Sequence, residues 1–313
     1  MKRSVEITTL TTTIFMIGFV FGAYFMTGLS SVSHIDDDDM TNGIGKSGMP
    51  TTILFLGDLM LDRHVALKMD KFDVEYPFAP IQEFLKSSNF VVANAEGVFG
   101  SNVSITKGVE NAPLRFTFST STLPFLKELG FSAFSQANNH TFDFERAGAI
   151  ESRKEIELVG IKVFGDYFND NPGPAILENN KEKIALIGFN EFSYRNKDKI
   201  IQAIENSKKE MLFVVVFAHW GFEYEFEPST YQKNLAYEFI DSGADLIIGA
   251  HPHVIQPIEI YNGKVIFYSL GNFIFDQYFS KATMEGGLLR VEIKDKKIDN
   301  VILEKIKLNK YYQ

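Results

Sequence analysis

The sequence contains no cysteine, which excludes disulfide bonds and thiolate metal ligands throughout the chain. Any metal bound by this protein must therefore be held by nitrogen and oxygen ligands. Positive charge is also scarce, because 31 Lys and Arg residues face 40 Asp and Glu residues, for a formal net charge of −9. This balance argues against a general nucleic-acid-binding protein, which normally carries a basic face.

Apolar residues, by contrast, are abundant. They make up 45% of the 313 residues, enough for one large globular core or two modest ones. Strand-like apolar runs alternate with amphipathic segments from residue 51 onward, and this alternation predicts an α/β domain with a substantially parallel sheet. The predicted strands are 52–57, 90–94, 183–189, 211–218, 245–249 and 264–270. The predicted helices are 123–129, 145–159, 197–209 and 230–242.

The helix ends and the tail support this interpretation. Gly130, Gly160 and Gly243 closely follow three of the predicted helices, as C-terminal caps do. The tail, residues 286–306, is richer in β-type alternation and predicts antiparallel strands. No internal repeat or break in composition indicates a second domain, so we expect one folded domain over residues 51–313.

The N-terminus predicts a membrane anchor. Lys2 and Arg3 precede an apolar run over about residues 7–29, close to the roughly 20 residues that span a bilayer. Residues 1–29 are therefore predicted to form an uncleaved transmembrane anchor, and the flanking positive charge predicts that the rest is extracytoplasmic. A cleaved signal peptide is the alternative, since serines within residues 30–33 offer small side chains for processing.

The segment that follows, residues 30–50, predicts a flexible acidic linker. It contains four consecutive Asp residues together with several Gly and Ser residues, and little that could pack in a core. A weak cation site at the Asp run is the alternative, but a solvated tether is the more usual role of such a run.

Five of the six His residues fall in short polar runs that follow strand-like segments. Glu96 adds a carboxylate after a further strand. In open α/β sheets ligands bind at the carboxyl ends of strands, so we expect these segments to converge on one cleft. Asp, Glu, Asn and His at such positions predict a divalent-metal site. The four runs are residues 57–64, 137–143, 218–224 and 249–253.

Two of these runs carry candidate metal ligands with competing interpretations. Asp58 directly follows a buried strand and its two oxygens can bridge metal ions, but an Asp capping the next helix fits equally well. His251 and His253 flank a Pro that restricts the backbone and pre-sets both rings, which would point to opposite sides in an extended segment. His219 also follows a strand, although a lone His there is more often a core residue.

The run over residues 137–143 carries the features of a proton-transfer site. Asn139 offers a neutral oxygen ligand, and His140 can exchange protons near neutral pH. Asp143 would lie on the same side as His140 if a helical turn begins here, and it could then orient the His140 ring. The alternative is an Asn- and Asp-rich helix start.

Six blocks of the sequence, taken in order, resemble the signature blocks of the CapA (PgsA) family. That family is associated with synthesis of poly-γ-glutamate capsule. The resemblance covers residues 57–276 and implies a fold like that of the calcineurin-like metallophosphoesterases, a four-layer α/β/β/α sandwich. The blocks are Gly-Asp-Leu-Met-Leu-Asp-Arg from residue 57, Asn-Ala-Glu from 94, Ala-Asn-Asn-His-Thr-Phe-Asp from 137, His-Trp-Gly-Phe-Glu-Tyr from 219, Gly-Ala-His-Pro-His-Val-Ile-Gln-Pro from 249 and Tyr-Ser-Leu-Gly-Asn-Phe-Ile-Phe-Asp from 268.

The resemblance also implies a role for each matching residue. His140 is the implied proton donor to the leaving group, with Asp143 orienting it, and Arg63 would hold an anionic substrate group. One or two divalent ions of Mn, Fe, Zn or Mg are the implied cofactors. Their implied ligands are Asp58, Glu96, Asn139, His219, His251 and His253.

Met60 departs from the phosphoesterase pattern, which has a His two residues after the first Asp. A thioether is a poor ligand for Mn²⁺, Zn²⁺ or Mg²⁺, so one metal position would lack an imidazole. The CapA pattern itself has Met here. His64 lies too far along the chain to be a simple replacement, unless a turn brings it closer.

Two functional hypotheses follow. In the first, a membrane-anchored, extracytoplasmic enzyme acts by metal-assisted hydrolysis or transfer on a phosphoester or a γ-glutamyl amide during capsule polymer synthesis. In the second, the protein is a non-catalytic component of a synthesis or export complex, where it binds an anionic polymer beside a membrane-bound synthase. Neither hypothesis includes a nucleic-acid partner.

Overall fold

The structure is a computed structural model. The predicted anchor, residues 1–29, lies outside the residues that it describes, and so does the predicted linker except for its last three residues. Within the described part of the chain, no helix combines the length and the apolar character needed to cross a membrane. The described residues are 48–109, 111–165, 173–180, 182–192 and 197–309.

Strands and helices alternate along most of the described chain. The strands are β1 (Thr51–Leu59), β2 (Phe90–Ala95), β3 (Val98–Gly100), β4 (Thr117–Ser119), β5 (Phe131–Ser135), β6 (Lys162–Phe164), β7 (Ala175–Asn179), β8 (Glu182–Asn190), β9 (Phe213–His219), β10 (Leu246–Ala250), β11 (Ile258–Tyr261), β12 (Lys264–Phe267), β13 (Asn272–Ile274), β14 (Glu285–Lys294) and β15 (Lys297–Lys307). The helices are α1 (Arg63–Lys71), α2 (Gln82–Lys86), α3 (Leu123–Glu128), α4 (Glu145–Leu158), α5 (Lys197–Lys209) and α6 (Thr230–Asp241).

Two sheets form the centre of the fold. The first has the order β15-β14-β1-β2-β5-β6, with β13 paired to β1, and the second has the order β11-β12-β10-β9-β8-β7. Strands β1, β2, β5 and β6 run parallel, as do β8, β9, β10 and β12. β14 and β15 pair antiparallel, as the tail predicts. A separate pair, β3 and β4, completes the described strands.

The alternation of side chains in β1 shows how the layers are built. Successive residues of a strand point to opposite faces, and every residue from Ile53 to Leu56 is buried. Ile53 and Phe55 pack in a core shared by the two sheets, whereas Leu54 and Leu56 pack in a second core that includes residues of α1 to α4. A strand covered on both faces in this way has a continuous apolar sequence.

A third core covers the outer face of the second sheet. It joins Val214 and Val216 of β9 to Ile204 of α5 and to Leu235 and Phe239 of α6. The layers are therefore helices, sheet, sheet, helices, and the predicted mixed α/β fold is confirmed. Burying a side chain of this size contributes about 1.5–3 kcal/mol, so the three cores dominate the stability of the fold.

The predicted helices match the observed ones within a residue or so, and the predicted capping glycines follow three of them. Gly130, Gly160 and Gly243 have φ values of 98°, 78° and 116°, in the left-handed region that favours glycine. The strand predicted at 211–218 begins only at Phe213, and the one predicted at 264–270 ends at Phe267.

Helix α1 was not predicted. Its N-terminal cap shows whether Asp58 caps the helix that follows β1. The side chain of Asp62 accepts a hydrogen bond from the backbone N–H of Arg63 at 2.7 Å, at the start of α1. An Asp does cap this helix, but it is Asp62, whereas Asp58 still lies within β1. The capping alternative for Asp58 is therefore wrong.

Candidate metal centre

The carboxyl ends of strands from both sheets meet at one place. Asp58 is the last residue but one of β1 and Glu96 follows β2, both in the first sheet. His219 ends β9, and residues 251–253 follow β10, both in the second sheet. The Nδ1 atom of His253 lies 3.3 Å from an oxygen of Asp58, so the two sheets contact each other directly here.

The close approach of Gly57 to a neighbouring loop places Asp58. A Cβ atom on Gly57 would lie only 1.8 Å from the backbone oxygen of Gly271. The backbone N–H of Asp58 donates to that same oxygen at 3.0 Å, and the pairing register of β1 shifts around this point. Only glycine allows the approach, so residue 57 sets where the Asp58 carboxylate sits.

Asp58 is fully buried and its carboxylate is surrounded by donors. Its Oδ1 accepts from Nδ2 of Asn94 at 2.8 Å, and its Oδ2 accepts from the backbone N–H of His251 at 3.2 Å. Burial alone would raise the pKa of Asp58, but the hydrogen bonds that its carboxylate accepts from His253 and Asn94 hold that pKa well below its ordinary value. Asp58 is therefore an anion at neutral pH.

Glu96, also buried, behaves in the opposite way. Burial raises the pKa of its carboxyl well above the ordinary value, and the negative charge of nearby Asp58 raises it further. Two buried carboxyls this close cannot both ionise cheaply without a cation. A divalent ion between them would replace the proton that Glu96 otherwise retains.

His253 has the geometry of a metal ligand. Its Nδ1 lies 3.0 Å from Oδ1 of Asn272 and 3.3 Å from an oxygen of Asp58, so Nδ1 carries the proton and donates to them. The lone pair is then on Nε2, which lies 3.6 Å from Oε1 of Glu96. A ring whose other nitrogen is hydrogen-bonded in this way is held in the tautomer that coordinates metals.

The segment 251–253 is not extended, so the rings of His251 and His253 do not point to opposite sides as they would in a strand. His251 and His253 have φ values of 93° and 58°, and their ring centroids lie 6.0 Å apart. The His251 ring also lies 4.7 Å from that of His219. Left-handed backbone is uncommon for residues other than glycine, and here it turns both imidazoles into the same cluster.

His219 and Asn139 lie side by side. Nε2 of His219 is 2.8 Å from Oδ1 of Asn139, and Nδ1 of His219 is 3.3 Å from Nδ2 of Asn94. Because Asn94 donates to Nδ1, the ring proton is on Nε2 and is donated to Asn139. Burial lowers the pKa of His219 well below its ordinary value, so the ring is neutral.

His140 faces the same cluster from the side of the first sheet. Its Nδ1 is 2.8 Å from Oδ2 of Asp143, and its Nε2 is 3.9 Å from Oε1 of Glu96. Oδ2 of Asp143 also accepts the backbone N–H of Phe116 at 2.6 Å, and the Phe116 ring lies 4.3 Å from the His140 ring. The turn expected here does bring Asp143 beneath the ring, with the contact predicted for an orienting carboxylate.

Arg63 lies on the wall of the cavity above this cluster. The cavity, of about 230 Å³, is lined among others by Arg63, Glu96, His140 and His253. Nε of Arg63 is 3.3 Å from Oδ2 of Asp276, which holds the guanidinium in place. A larger groove, of about 660 Å³, is lined by none of the nine predicted site residues.

A model of the bacterial capsule synthesis protein family PGA_cap matches residues 52–277. The chain belongs to this family. The PGA biosynthesis protein CapA of Bacillus subtilis (strain 168) is 30% identical over 259 residues, which cover 77% of this chain and 67% of that protein. The capsule biosynthesis protein CapA of Bacillus anthracis is 31% identical over 281 residues, covering 82% and 67%. The resemblance to the CapA family is confirmed.

Solved structures resemble this family member more distantly. The crystal structure of TT1561 of Thermus thermophilus has a TM-score of 0.44 and 10% identity, covering 83% of this chain and 100% of that chain. Purple acid phosphatase PPD1 from yellow lupin has a TM-score of 0.37 and 8% identity, covering 82% and 51%. Both TM-scores lie below 0.5, so neither likeness carries an argument about function.

The described residues of this PGA_cap member fit a divalent ion. Two groups of side chains place one ligand atom from each residue within 4.8 Å of the others: Asp58, Glu96 and His253 form one group, and Glu223, His251 and His253 form the other. Nδ1 of His251 is buried and has no hydrogen-bond partner among the described residues. Buried polar atoms are almost always paired, so this nitrogen indicates a site for a ligand.

Met60 and His64 contribute no ligand to either group. Met60 is fully buried in the core that includes residues of α1 to α4, and its sulfur accepts the backbone N–H of Asp62 at 3.1 Å. His64 instead places Nδ1 3.1 Å from Oδ2 of Asp276. The turn after β1 therefore does not bring His64 into the place of the missing imidazole.

Several residues of the site were not predicted to take part in it. Asn94 and Asn272 orient Asp58 and His253, Asp276 anchors Arg63, and Glu223 belongs to a candidate ligand group. Each lies in one of the six sequence blocks, which was the only signal available. Asn138 is a further case, because it donates to Oδ1 of Asn94 at 3.0 Å and so sets which way the Asn94 amide points.

The lowered pKa of His251 predicts that the metal-free protein loses stability as the pH falls. Burial lowers the pKa of His251 from its ordinary 6.5 to about 4. Between these values the unfolded imidazole takes up a proton and the folded one does not, so stability present above pH 6.5 is lost as the pH falls toward 4. At about pH 4.5 this loss is on the order of 2 kcal/mol.

Urea unfolding of chelator-treated protein at about pH 7 and pH 4.5 measures this loss. Because the pKa values of His219 and Glu96 are also shifted, the loss of stability in the wild type is compared with the loss in His251→Asn. The wild type should lose more stability than the variant over this interval. Equal losses in both proteins would contradict the assignment to His251.

Proposed function

We propose that this protein is a membrane-anchored, extracytoplasmic participant in the synthesis of poly-γ-glutamate or a related capsule polymer, and that it acts by metal-assisted hydrolysis or transfer. The observation that carries the proposal is the meeting of two buried carboxylates and three imidazoles where the two sheets touch. The names of the two Bacillus relatives support a capsule polymer as the product of the pathway in which this protein takes part. The anchor rests on the apolar sequence before residue 30.

We infer that the layer order of helices, sheet, sheet, helices is the metallophosphoesterase-like sandwich implied by the six blocks. The residues that would hold one or two ions of Mn, Fe, Zn or Mg are Asp58, Glu96, Asn139, His219, His251 and His253. When bound, such ions supply Lewis-acid polarisation of the scissile group and activation of a water. Their ligand set of oxygen and imidazole nitrogen suits all four metals to differing degrees.

His140 is the residue best placed to move a proton. Asp143 accepts from Nδ1, which leaves Nε2 directed toward Glu96 and the cavity. A protonated Nε2 would donate to the leaving group as the scissile bond breaks, and Asp143 would stabilise the charged ring. The Phe116 ring, 4.3 Å away, restricts the rotation of the imidazole.

Arg63 is the residue best placed to hold an anionic part of the substrate. Its guanidinium lies on the cavity wall that includes His140, and Asp276, which lines the same cavity, fixes its orientation. A planar guanidinium can bind either a carboxylate or a phosphate through paired hydrogen bonds. The substrate is thus described by its chemistry alone, as an anionic polymer or a phosphoester.

A binding role without catalysis is the alternative, and the position of Met60 favours it. Because Met60 is committed to the core, the site has one imidazole fewer than a full binuclear phosphoesterase centre. In this alternative the cavity holds an anionic polymer beside a membrane-bound synthase and does not cleave it.

Complementation distinguishes the two functions. A host whose own family member has been deleted is supplied with the full chain as wild type, as His140→Ala or as His251→Ala/His253→Ala, and the capsule polymer is measured. We expect wild type to restore polymer and both variants to fail, with all three chains present at equal levels. Restoration by His140→Ala would favour the binding role.

A further inference from the structure

We propose that Glu223, supplied by the loop after β9, is a metal ligand that adds a carboxylate to the imidazoles of His251 and His253. This inference rests on the proposed function and deepens it, because it adds a residue to the metal centre and a preference among metals. No role was predicted for Glu223, although it lies in the block that begins at His219.

The distances allow one ion to contact Glu223 together with two imidazoles. A carboxylate oxygen of Glu223 and ring nitrogens of His251 and His253 all lie within 4.8 Å of one another. Oxygen and nitrogen ligands sit about 2.0–2.2 Å from a metal such as Zn²⁺, so two ligands of one ion are at most about 4.4 Å apart. The exposed Glu223 side chain can close the small remaining gap by rotation.

A second observation points to a ligand at one of these two imidazoles. His251 is only 5% exposed, yet its Nδ1 has no hydrogen-bond partner among the residues described. An unpaired buried atom destabilises the folded state, and proteins tolerate one where a bound group restores the contact. His251 is one of the two imidazoles grouped with Glu223.

The loop is tied down on both sides of Glu223. The backbone N–H of Gly221 donates to Oε2 of Glu191 at 2.7 Å, and that of Tyr224 donates to the backbone oxygen of Pro252 at 2.8 Å. Gly221 has φ of 82°, and a Cβ there would lie 2.6 Å from the Gln232 side chain, so glycine permits this turn. These contacts hold residue 223 against the segment that carries both imidazoles.

Glu223 approaches His253 from the solvent side, whereas Asp58 and Glu96 approach it from the interior. His253 belongs to both ligand groups, with buried Asp58 and Glu96 in one and exposed Glu223 in the other. A carboxylate added to the two imidazoles makes the centre richer in hard oxygen ligands. Such ligands favour Mn²⁺ or Mg²⁺ relative to Zn²⁺, so Glu223 would shift the preference of the site toward Mn²⁺.

The test is Mn²⁺ binding to the full chain, measured by titration calorimetry and by the electron paramagnetic resonance signal of free Mn²⁺. Glu223→Gln should weaken Mn²⁺ binding at least about tenfold, since even indirect partners of a metal are worth about 10–100-fold. Glu225→Gln is the matched control. It removes the same charge from another exposed residue of the same loop that belongs to neither ligand group among the described residues.

The outcomes separate this inference from the proposed function. Loss of affinity in Glu223→Gln alone, with restored binding and a shift toward Zn²⁺ in Glu223→His, supports the assignment. Equal losses in Glu223→Gln and Glu225→Gln would mean a general charge effect and overturn it, as would wild-type affinity in Glu223→Gln. A wild-type chain that binds no Mn²⁺ or Zn²⁺ would overturn the metal centre itself, and Glu223 with it. Thermal unfolding of metal-free variants checks that each is folded.

Discussion

The His251→Ala/His253→Ala variant should purify without bound divalent metal, whereas wild type purified without chelator should carry about one or two equivalents. His253 belongs to both candidate ligand groups and His251 to one, so the double substitution leaves neither group complete. Elemental analysis of both proteins gives the metal content directly.

The same pair of proteins should differ in their thermal response to metal. At a free metal concentration 100 times the dissociation constant, binding stabilises the folded state by about 2.7 kcal/mol. Each kcal/mol raises the unfolding midpoint of a chain of about this size by roughly 2–4 °C, so wild type should gain roughly 5–10 °C. The double variant should gain nothing.

His64→Ala provides the control for the loss of an imidazole as such. His64 contacts Asp276 and belongs to neither ligand group among the described residues, so this variant should keep its metal. Metal retained by the double variant would contradict the assignment of His251 and His253 as metal ligands. A wild-type protein that stays metal-free after incubation with Mn²⁺ or Zn²⁺ would favour polymer binding without catalysis.

His140→Ala should lower the rate of hydrolysis by about 100- to 10,000-fold while leaving the metal content unchanged. This is the range expected when a general acid is removed, and Nε2 of His140 faces the cavity next to Glu96. A chromogenic phosphodiester and a γ-glutamyl oligomer are the two probes, since the site suits either anionic substrate. The rate is measured at saturating metal.

Asp143→Asn should cause a smaller loss than His140→Ala. Asp143 orients the ring of His140 and does not line the cavity, so an Asn that still accepts from Nδ1 preserves part of its effect. A His140→Ala variant that hydrolyses either probe as fast as wild type would contradict the proton-donor role, and a wild type that hydrolyses neither probe would favour polymer binding without catalysis.

Many of the strands and helices could be predicted because each depends on residues that are close together in the sequence. The apolar run of β1, the amphipathic pattern of α5 and the glycines that end three helices are local features, and their periodicity alone indicates strand or helix. Helix α1 was missed because its start coincides with the polar run around Asp62, which obscures the helical pattern. The predicted anchor over residues 1–29 lies outside the described residues and stays a prediction.

The candidate site could be predicted in its chemistry but not in its geometry. The sequence by itself determined the ligand types, the absence of thiolates and the order of the six blocks, because residue identity decides which atoms can bind a metal. Only the tertiary structure decided that His251 and His253 adopt left-handed backbone and face one cluster. It also decided that Met60 packs in the core and that a carboxylate oxygen of Glu223 lies within 4.8 Å of both imidazoles. These features depend on how two sheets pack against each other, and contacts between residues so far apart in the chain leave no local pattern in the sequence.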